Sequence, residues 1–287
     1  MSEQESGLGI FAGLAELARL ARLDELASGC LQAAGLIAGF FVVIYFFERR
    51  SGADGSRYLT RSFLNDILYT LFYRAGFYNI FIYAAFANLL GPRLDPLRID
   101  LLASLPPLAS GIAYWITVDF IGYWIHRLQH RSRFLWAFHS IHHAQERMTY
   151  LTSFRIHPGE QIIANLIMFV PLLVLGVPTR FWIPLYVAQL GFELVQHAEL
   201  PWRYGRLYPL LVSPVFHSLH HSPERRYHDM NYGKILSVWD HLFGTALKNV
   251  PRPIRTGVEG MQVPETLAGQ LLAPIRALRE PGGARRS

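Results

Sequence analysis

The 287-residue sequence contains a single cysteine, Cys30. One thiol excludes a disulfide framework within the chain. It equally excludes a cysteine-ligated zinc finger or an iron–sulfur cluster, each of which takes several thiolates. Charge is scarce too, at 17% Asp, Glu, Lys and Arg, against roughly 25% in an ordinary soluble domain. Low charge with high hydrophobicity argues against disorder, and against a soluble nucleic-acid binder despite a net charge of +6. Lysine is nearly missing: Lys234 and Lys248 are the only two among 27 basic residues. Such an arginine bias fits a GC-rich bacterial source, and hence an inner membrane. No G-x-G-x-x-G follows a strand and opens a helix, so no dinucleotide fold is indicated. The H-E-x-x-H zinc-protease motif is also missing.

What is present is apolar residue in long runs, 51% of the chain. At about 1.5 Å per residue, crossing a hydrocarbon core of about 30 Å takes roughly 20 residues. The runs are Leu31 to Phe47, Phe63 to Leu90, Leu105 to Ile125, and the shorter Ile162 to Val177 and Phe181 to Val195. The last two, split by Gly176-Val177-Pro178, read as a thin-spanning or re-entrant hairpin. Arginines cluster after the first run (Arg49, Arg50, Arg57, Arg61), the third (Arg127 to Arg155) and the fifth (Arg203 to Arg226). The positive-inside rule puts those three segments on one cytoplasmic face. Residues 8 to 29 mix Leu and Ala with Glu16, Arg19, Arg22, Asp24 and Glu25, a pattern open to an amphipathic interfacial helix or a solvated leader. No basic n-region marks a signal peptide. The predicted fold is an all-α integral membrane protein, a bundle of about four to five transmembrane or re-entrant helices with a cytoplasmic helical cap.

All twelve histidines lie between His126 and His241. His126 and His130 form H-x-x-x-H; His139, His142 and His143 form H-x-x-H-H; His217, His220 and His221 repeat the second pattern. Residues three or four apart share a helix face, whereas an adjacent pair diverges by about 100°. Each H-x-x-H-H can therefore supply ligands to two metals a few ångströms apart. The three groups together offer enough imidazoles for a dinuclear site, in a ligand chemistry that suits Fe, Zn, Cu or Ni. His197 ends the fifth run on the same predicted face and is a plausible ninth ligand.

The sequence resembles the sterol desaturase/fatty acid hydroxylase superfamily of membrane non-haem di-iron oxygenases. The resemblance rests on the stretch from Asp119 through His126 to His130, on His139-Ser-Ile-His142-His143, and on His217-Ser-Leu-His220-His221. It continues through His228-Asp229-Met-Asn231-Tyr232-Gly233 and Trp239-Asp240-His241-Leu-Phe-Gly244-Thr245. It implies two iron ions (zinc as a purification substitute), O2 as cosubstrate, and hydroxylation or desaturation of a lipid such as a sterol, acyl chain or ether lipid. It also divides the chain into 1–60, an interfacial and first membrane helix; 61–247, the catalytic domain; and 248–287, a C-terminal cytoplasmic tail. No haem, flavin or nicotinamide is expected on this chain, because His157-Pro158-Gly159-Glu160 departs from the His-Pro-Gly-Gly haem motif. Electrons are then expected from a separate ferredoxin, cytochrome or reductase.

The metal-ligand candidates are His126, His130, His139, His142, His143, His217, His220 and His221, with His197 as the ninth. His157 and His228 match positions the family often fills with histidine, as ligands or as their supports. Metal-bound imidazoles usually hand their other N–H to a carboxylate or carbonyl, so Asp119, Glu160, Glu193 and Asp229 are the catalytic candidates and Asp240 a further support. Asp119 and Glu193 stand out because a carboxylate inside an apolar run is costly unless it faces a partner or a cavity. Two alternatives stay open: a membrane zinc hydrolase acting on a lipid, and a non-catalytic metal-binding relative.

Overall fold

The computed structural model describes residues 23–176, 183–247, 255–261 and 264–279. In chain order its helices are α1 (Leu23–Arg50), α2 (Arg61–Arg74), α3 (Ala84–Leu94), α4 (Pro107–Arg131) and α5 (Arg133–His143). They continue with α6 (Pro158–Leu175), α7 (Ile183–His197), α8 (Pro214–His220), α9 (Val238–Leu242) and α10 (Leu267–Arg279). Among the described residues the only β contact is an isolated bridge between Leu211 and Leu236. Most of the expected interfacial helix, up to residue 22, lies outside the described residues.

Three helices, α1, α4 and α6, are long and apolar enough to cross a bilayer. On α4 the exposed apolar residues fall every fourth position, at Leu108, Ile112, Ile116, Phe120, Trp124 and Leu128. That row runs oblique to the helix axis. The opposite face buries Asp119, Gly122, Tyr123, His126, Gln129 and His130. One helix thus presents oil on one side and the first histidine box on the other. Leu31, Val42, Val43 and Phe46 of α1 are likewise exposed, while its Ile44 packs with Tyr150, Leu151, Phe154, Leu190 and Leu194.

The other expected spans are shorter. The run from Phe63 to Leu90 is not one helix: α2 stops at Arg74, Gly76 takes φ +99°, and a π-helical turn, Asn79–Tyr83, precedes α3. A positive φ leaves the helical region, and glycine bears it without strain. The fifth run forms the 15-residue α7, about 22 Å long and too short to span untilted. Residues Val177 to Trp182, the tip of the expected hairpin, lie outside the described residues.

Polar contacts fasten the apolar helices to the histidine-bearing segments. Asp66 of α2, fully buried, accepts from Arg155 Nε (2.7 Å), Gln145 Nε2 (2.9 Å) and Thr149 Oγ1 (3.1 Å), pinning the chain that follows α5. Glu48 at the end of α1 accepts from Tyr58 Oη and from the Glu199 N–H just after α7. The described parts of the segment 248–287 pack against the rest of the chain. Its α10 packs on α5, the Asn65 side chain donates to Glu265 O, and Gly257 N–H donates to His221 O.

Candidate metal centre

Ser132 ends α4 and caps α5, its Oγ accepting from Leu135 N–H. One serine thus turns the chain between the first and second boxes. Ser213 caps α8 in the same way, with Pro214 in the first helical position, where its missing N–H costs nothing. These starts fix the rotation of two short helices, α5 and α8, whose histidines point inward.

Nine buried histidines converge in two groups, His126, His130, His139, His143 and His220, and His142, His197, His217 and His221. Within each group one ring nitrogen per residue lies within 4.8 Å of the others. Each adjacent pair is divided: His143 and His142 join different groups, and so do His220 and His221. The i,i+4 partners stay together, as His139 with His143 and His217 with His221. The middle histidine of each H-x-x-H-H crosses to the other group. The two groups touch where His143 and His221 stack, with ring centroids 4.2 Å apart.

The tautomers follow from the partners. His126 Nδ1 lies 2.8 Å from Tyr232 O, and His220 Nδ1 lies 2.8 Å from Met230 O. A carbonyl only accepts, so both Nδ1 atoms carry the proton and both Nε2 atoms carry a lone pair. Those two lone pairs face each other at 2.9 Å. His139 donates from Nδ1 to Glu160 Oε1 at 2.7 Å, and its Nε2 sits 3.0 Å from His130 Nε2 and 3.1 Å from His143 Nε2. His197 directs Nδ1 at Glu193 O (2.9 Å), and its Nε2 meets His217 Nε2 at 2.9 Å. Opposed lone pairs at this distance repel unless a cation lies between them. Two nitrogens about 2.1 Å from one metal and at right angles lie about 3.0 Å apart. The donor set fits two metal ions.

Burial first, then the neighbouring imidazoles, holds His142, His143, His217 and His221 well below the ordinary imidazole range. Burial pushes His220 down to about 3 against its hydrogen bond to Met230. All five are neutral in the folded chain at pH 7, the form that can ligate. The unfolded chain takes up protons below about 6.5 that the fold refuses. Stability of the metal-free protein is therefore expected to be level above that pH and to fall below it, by up to about 1.4 kcal/mol per pH unit for each such histidine. Thermal denaturation of the metal-stripped protein in detergent from about pH 8 to about pH 4 checks the sign. Stability rising on acidification would contradict a neutral cluster.

The remaining candidates separate. Glu160 holds His139 and also accepts from Gln129 Nε2 at 3.0 Å. Glu193 faces the cavity described below and accepts from Gln189. Asp119 accepts from Ile235 N–H, Leu236 N–H and Trp239 Nε1, at 3.0, 3.2 and 2.8 Å, so both of its oxygens engage the segment after α8. Asp229 accepts from Tyr232 Oη and likewise braces the chain instead of meeting the histidines. His157 and His228 lie outside both groups. His157 Nδ1 accepts from Gly159 N–H and its Nε2 donates to Leu271 O, which uses both nitrogens, while His228 Nε2 donates to Pro223 O. Asp240, expected as a support, supports backbone: it accepts from Tyr232 N–H, Gly233 N–H and Thr245 Oγ1.

Sequence reasoning missed the bracket formed by residues 229 to 233. Asp229 and Asn231 adopt φ of +61° and +60°, a conformation these two residue types tolerate better than most. The alternation turns the carbonyls of Met230 and Tyr232 inward, onto His220 and His126. Asn231 locks the turn by donating from Nδ2 to Phe216 O and accepting at Oδ1 from Leu247 N–H. At Gly233 a Cβ would lie 2.7 Å from Leu236 O and 2.8 Å from Asp240 Oδ2, so the site excludes a side chain. The Asp-x-Asn-Tyr-Gly order was the available signal.

A cavity of about 180 Å³ abuts both groups, reaching His126 and His139 of one and His142, His197 and His217 of the other. Ile125, Ile156, Ala164 and Met168 form its apolar wall. A larger space of about 410 Å³ also reaches His197, but Asp54, Arg57, Glu146, Arg147, Glu199 and Arg255 line it. Those charged walls suit water and ions, not a lipid chain.

Comparison with known proteins agrees with this geometry. The chain is 32% identical over 174 residues to ornithine lipid hydroxylase of Rhizobium tropici, covering 59% of this chain and 51% of that protein. It is 33% identical over 135 residues to alkylglycerol monooxygenase of Homo sapiens, covering 46% of this chain and 29% of the relative. It is 32% identical over 186 residues to a very-long-chain aldehyde decarbonylase of Oryza sativa, covering 54% and 28%. The matched region thus spans about half the length of the first relative and under a third of the other two. No solved structure matches the chain. Residues 111–245, which hold all nine converging histidines, match the fatty acid hydroxylase family.

Proposed function

We propose that the protein is a membrane-bound di-iron oxygenase that uses O2 and electrons from a separate donor to hydroxylate or desaturate a C–H bond of a lipid. The observation that carries this reading is the opposition of the His126 and His220 Nε2 lone pairs beside a second all-imidazole group. Two irons held there would supply the redox chemistry that activates O2. His126, His130, His139, His143 and His220 would hold one ion, and His142, His197, His217 and His221 the other. Glu160 and the carbonyls of Tyr232, Met230 and Glu193 fix the tautomers of His139, His126, His220 and His197, which keeps those four Nε2 atoms unprotonated. The cavity between α4, α6 and α7 positions the substrate carbon beside five of the ligands, and its apolar wall excludes water. Two of those three helices are long and apolar enough to span, so a lipid can approach sideways from the bilayer. The arginine-rich segments support a cytoplasmic placement of the histidines at a bacterial inner membrane, within reach of a soluble ferredoxin, cytochrome or reductase.

Metal analysis with turnover decides the reading. Protein purified without added metal is expected to hold about two irons per chain and to consume O2 only with reductant and a lipid substrate present. Stoichiometric zinc combined with anaerobic lipid hydrolysis would refute it in favour of a hydrolase.

A further inference from the structure

The cavity beside the histidines holds an unspent acceptor. Glu160 is 6% exposed, and its Oε1 takes the two donors His139 Nδ1 and Gln129 Nε2. Its Oε2 is buried and has no hydrogen-bond partner among the described residues. The polar neighbours in the cavity leave that place open, each directing a donor elsewhere. Gln161 Nε2 donates to Asn165 Oδ1, Asn165 Nδ2 to Tyr78 Oη, and Gln196 Nε2 to Lys234 O. A second carboxylate, Glu193, lines the same space. A saturated hydrocarbon filling the cavity would expel water and leave the Oε2 atom desolvated with nothing in return.

We infer that the lipid bound here carries a hydrogen-bond donor, an ammonium or a hydroxyl group, which Glu160 Oε2 accepts close to the carbon presented to the histidines. This rests on the oxygenase reading and deepens it: the substrate is a polar lipid engaged through its donor group, not a bare alkyl chain. Two carboxylates along the wall, against the exposed Lys234 as its cation, set the sign of the preference. A donor-bearing group gains a charge-assisted bond at Glu160, whereas an ether oxygen gains none there. The contact also fixes which carbon lies over the metal ligands, since Glu160 touches His139 with its other oxygen.

The test uses the full chain in detergent, loaded with zinc so that no turnover occurs, and measures binding of three probes of equal chain length. These are hexadecanol, hexadecylamine and methyl hexadecyl ether. The alcohol or the amine is expected to bind at least about ten-fold more tightly than the ether, as one well-formed hydrogen bond requires. The tighter of the two identifies the donor as hydroxyl or ammonium. Glu160→Gln keeps an oxygen for His139 and turns an NH2 toward the cavity, so in protein saturated with zinc the gap should close or reverse. A purely structural Glu160 would instead weaken all three probes alike. Equal affinity of the probes for the unaltered protein, or no binding of any, overturns the inference. The iron and O2 measurements decide the oxygenase reading independently.

Discussion

Replacing His220 with alanine is expected to remove one of the two metal ions and to cut turnover at least about 100-fold. Loss of a group that merely supports a ligand commonly costs about 10 to 100-fold, and His220 is proposed as a ligand itself. It alone brings the third box into the five-histidine group, where its Nε2 opposes His126 Nε2 at 2.9 Å. The fold should persist, because Ser213, Pro214 and the Asn231 bond to Phe216 O hold α8 independently of that ring. His228→Ala is the matched control. That residue lies eight positions on, outside both groups and bonded to Pro223 O, so its loss should leave metal content unaltered. Elemental analysis of both variants, with O2 uptake, separates the outcomes. Full metal and activity in His220→Ala would refute the two-group assignment.

The second large effect falls at a residue that touches no histidine. Asp119→Ala strips three buried donors, Ile235 N–H, Leu236 N–H and Trp239 Nε1, of their acceptor. At about 1–3 kcal/mol for each orphaned group, the loss approaches the whole stability of an ordinary domain, about 5–15 kcal/mol. The segment from residue 229 to 247 should then detach from α4, taking the Tyr232 and Met230 carbonyls with it. Metal content should fall with it, and limited proteolysis should cut within 229–247. Asp119→Asn, which keeps one acceptor oxygen but adds an NH2 facing donors, should be intermediate. If Asp119 served as a proton donor instead, Asp119→Asn would abolish turnover with stability and metal content intact.

The histidine spacing made the centre legible because helix periodicity is local. Three residues or four along a helix return to one face whatever surrounds it. Which metal group each ring joins was not legible, since that depends on how α5 and α8 cross α4. Asp119 shows the same boundary. A carboxylate inside an apolar run announces a partner, but hydropathy cannot say whether that partner is a metal ligand or a distant backbone N–H. The bracket at 229 to 233 acts through carbonyls, which every residue has, so only the tolerance of Asp and Asn for positive φ marked it. The run from Phe63 to Leu90 looked continuous because hydropathy averages over Gly76, one residue whose backbone angle ends the helix. How the segment beyond residue 247 attaches was not legible, because its contacts, such as Asn65 with Glu265, join positions 200 residues apart.

The crossing of the middle histidines has a consequence for the order of biosynthesis. Helices α1, α4 and α6 can enter the bilayer as they are made, but neither histidine group can close then. His126 waits for His220, 94 positions later, and His142 must meet His197 and His217. Until the segment carrying α8 has emerged and docked, the nascent chain offers only incomplete imidazole sets with fewer teeth to grip an ion. On the proposed metal assignment, insertion would come first and metallation last, and a bound metal would serve as a receipt for a finished chain.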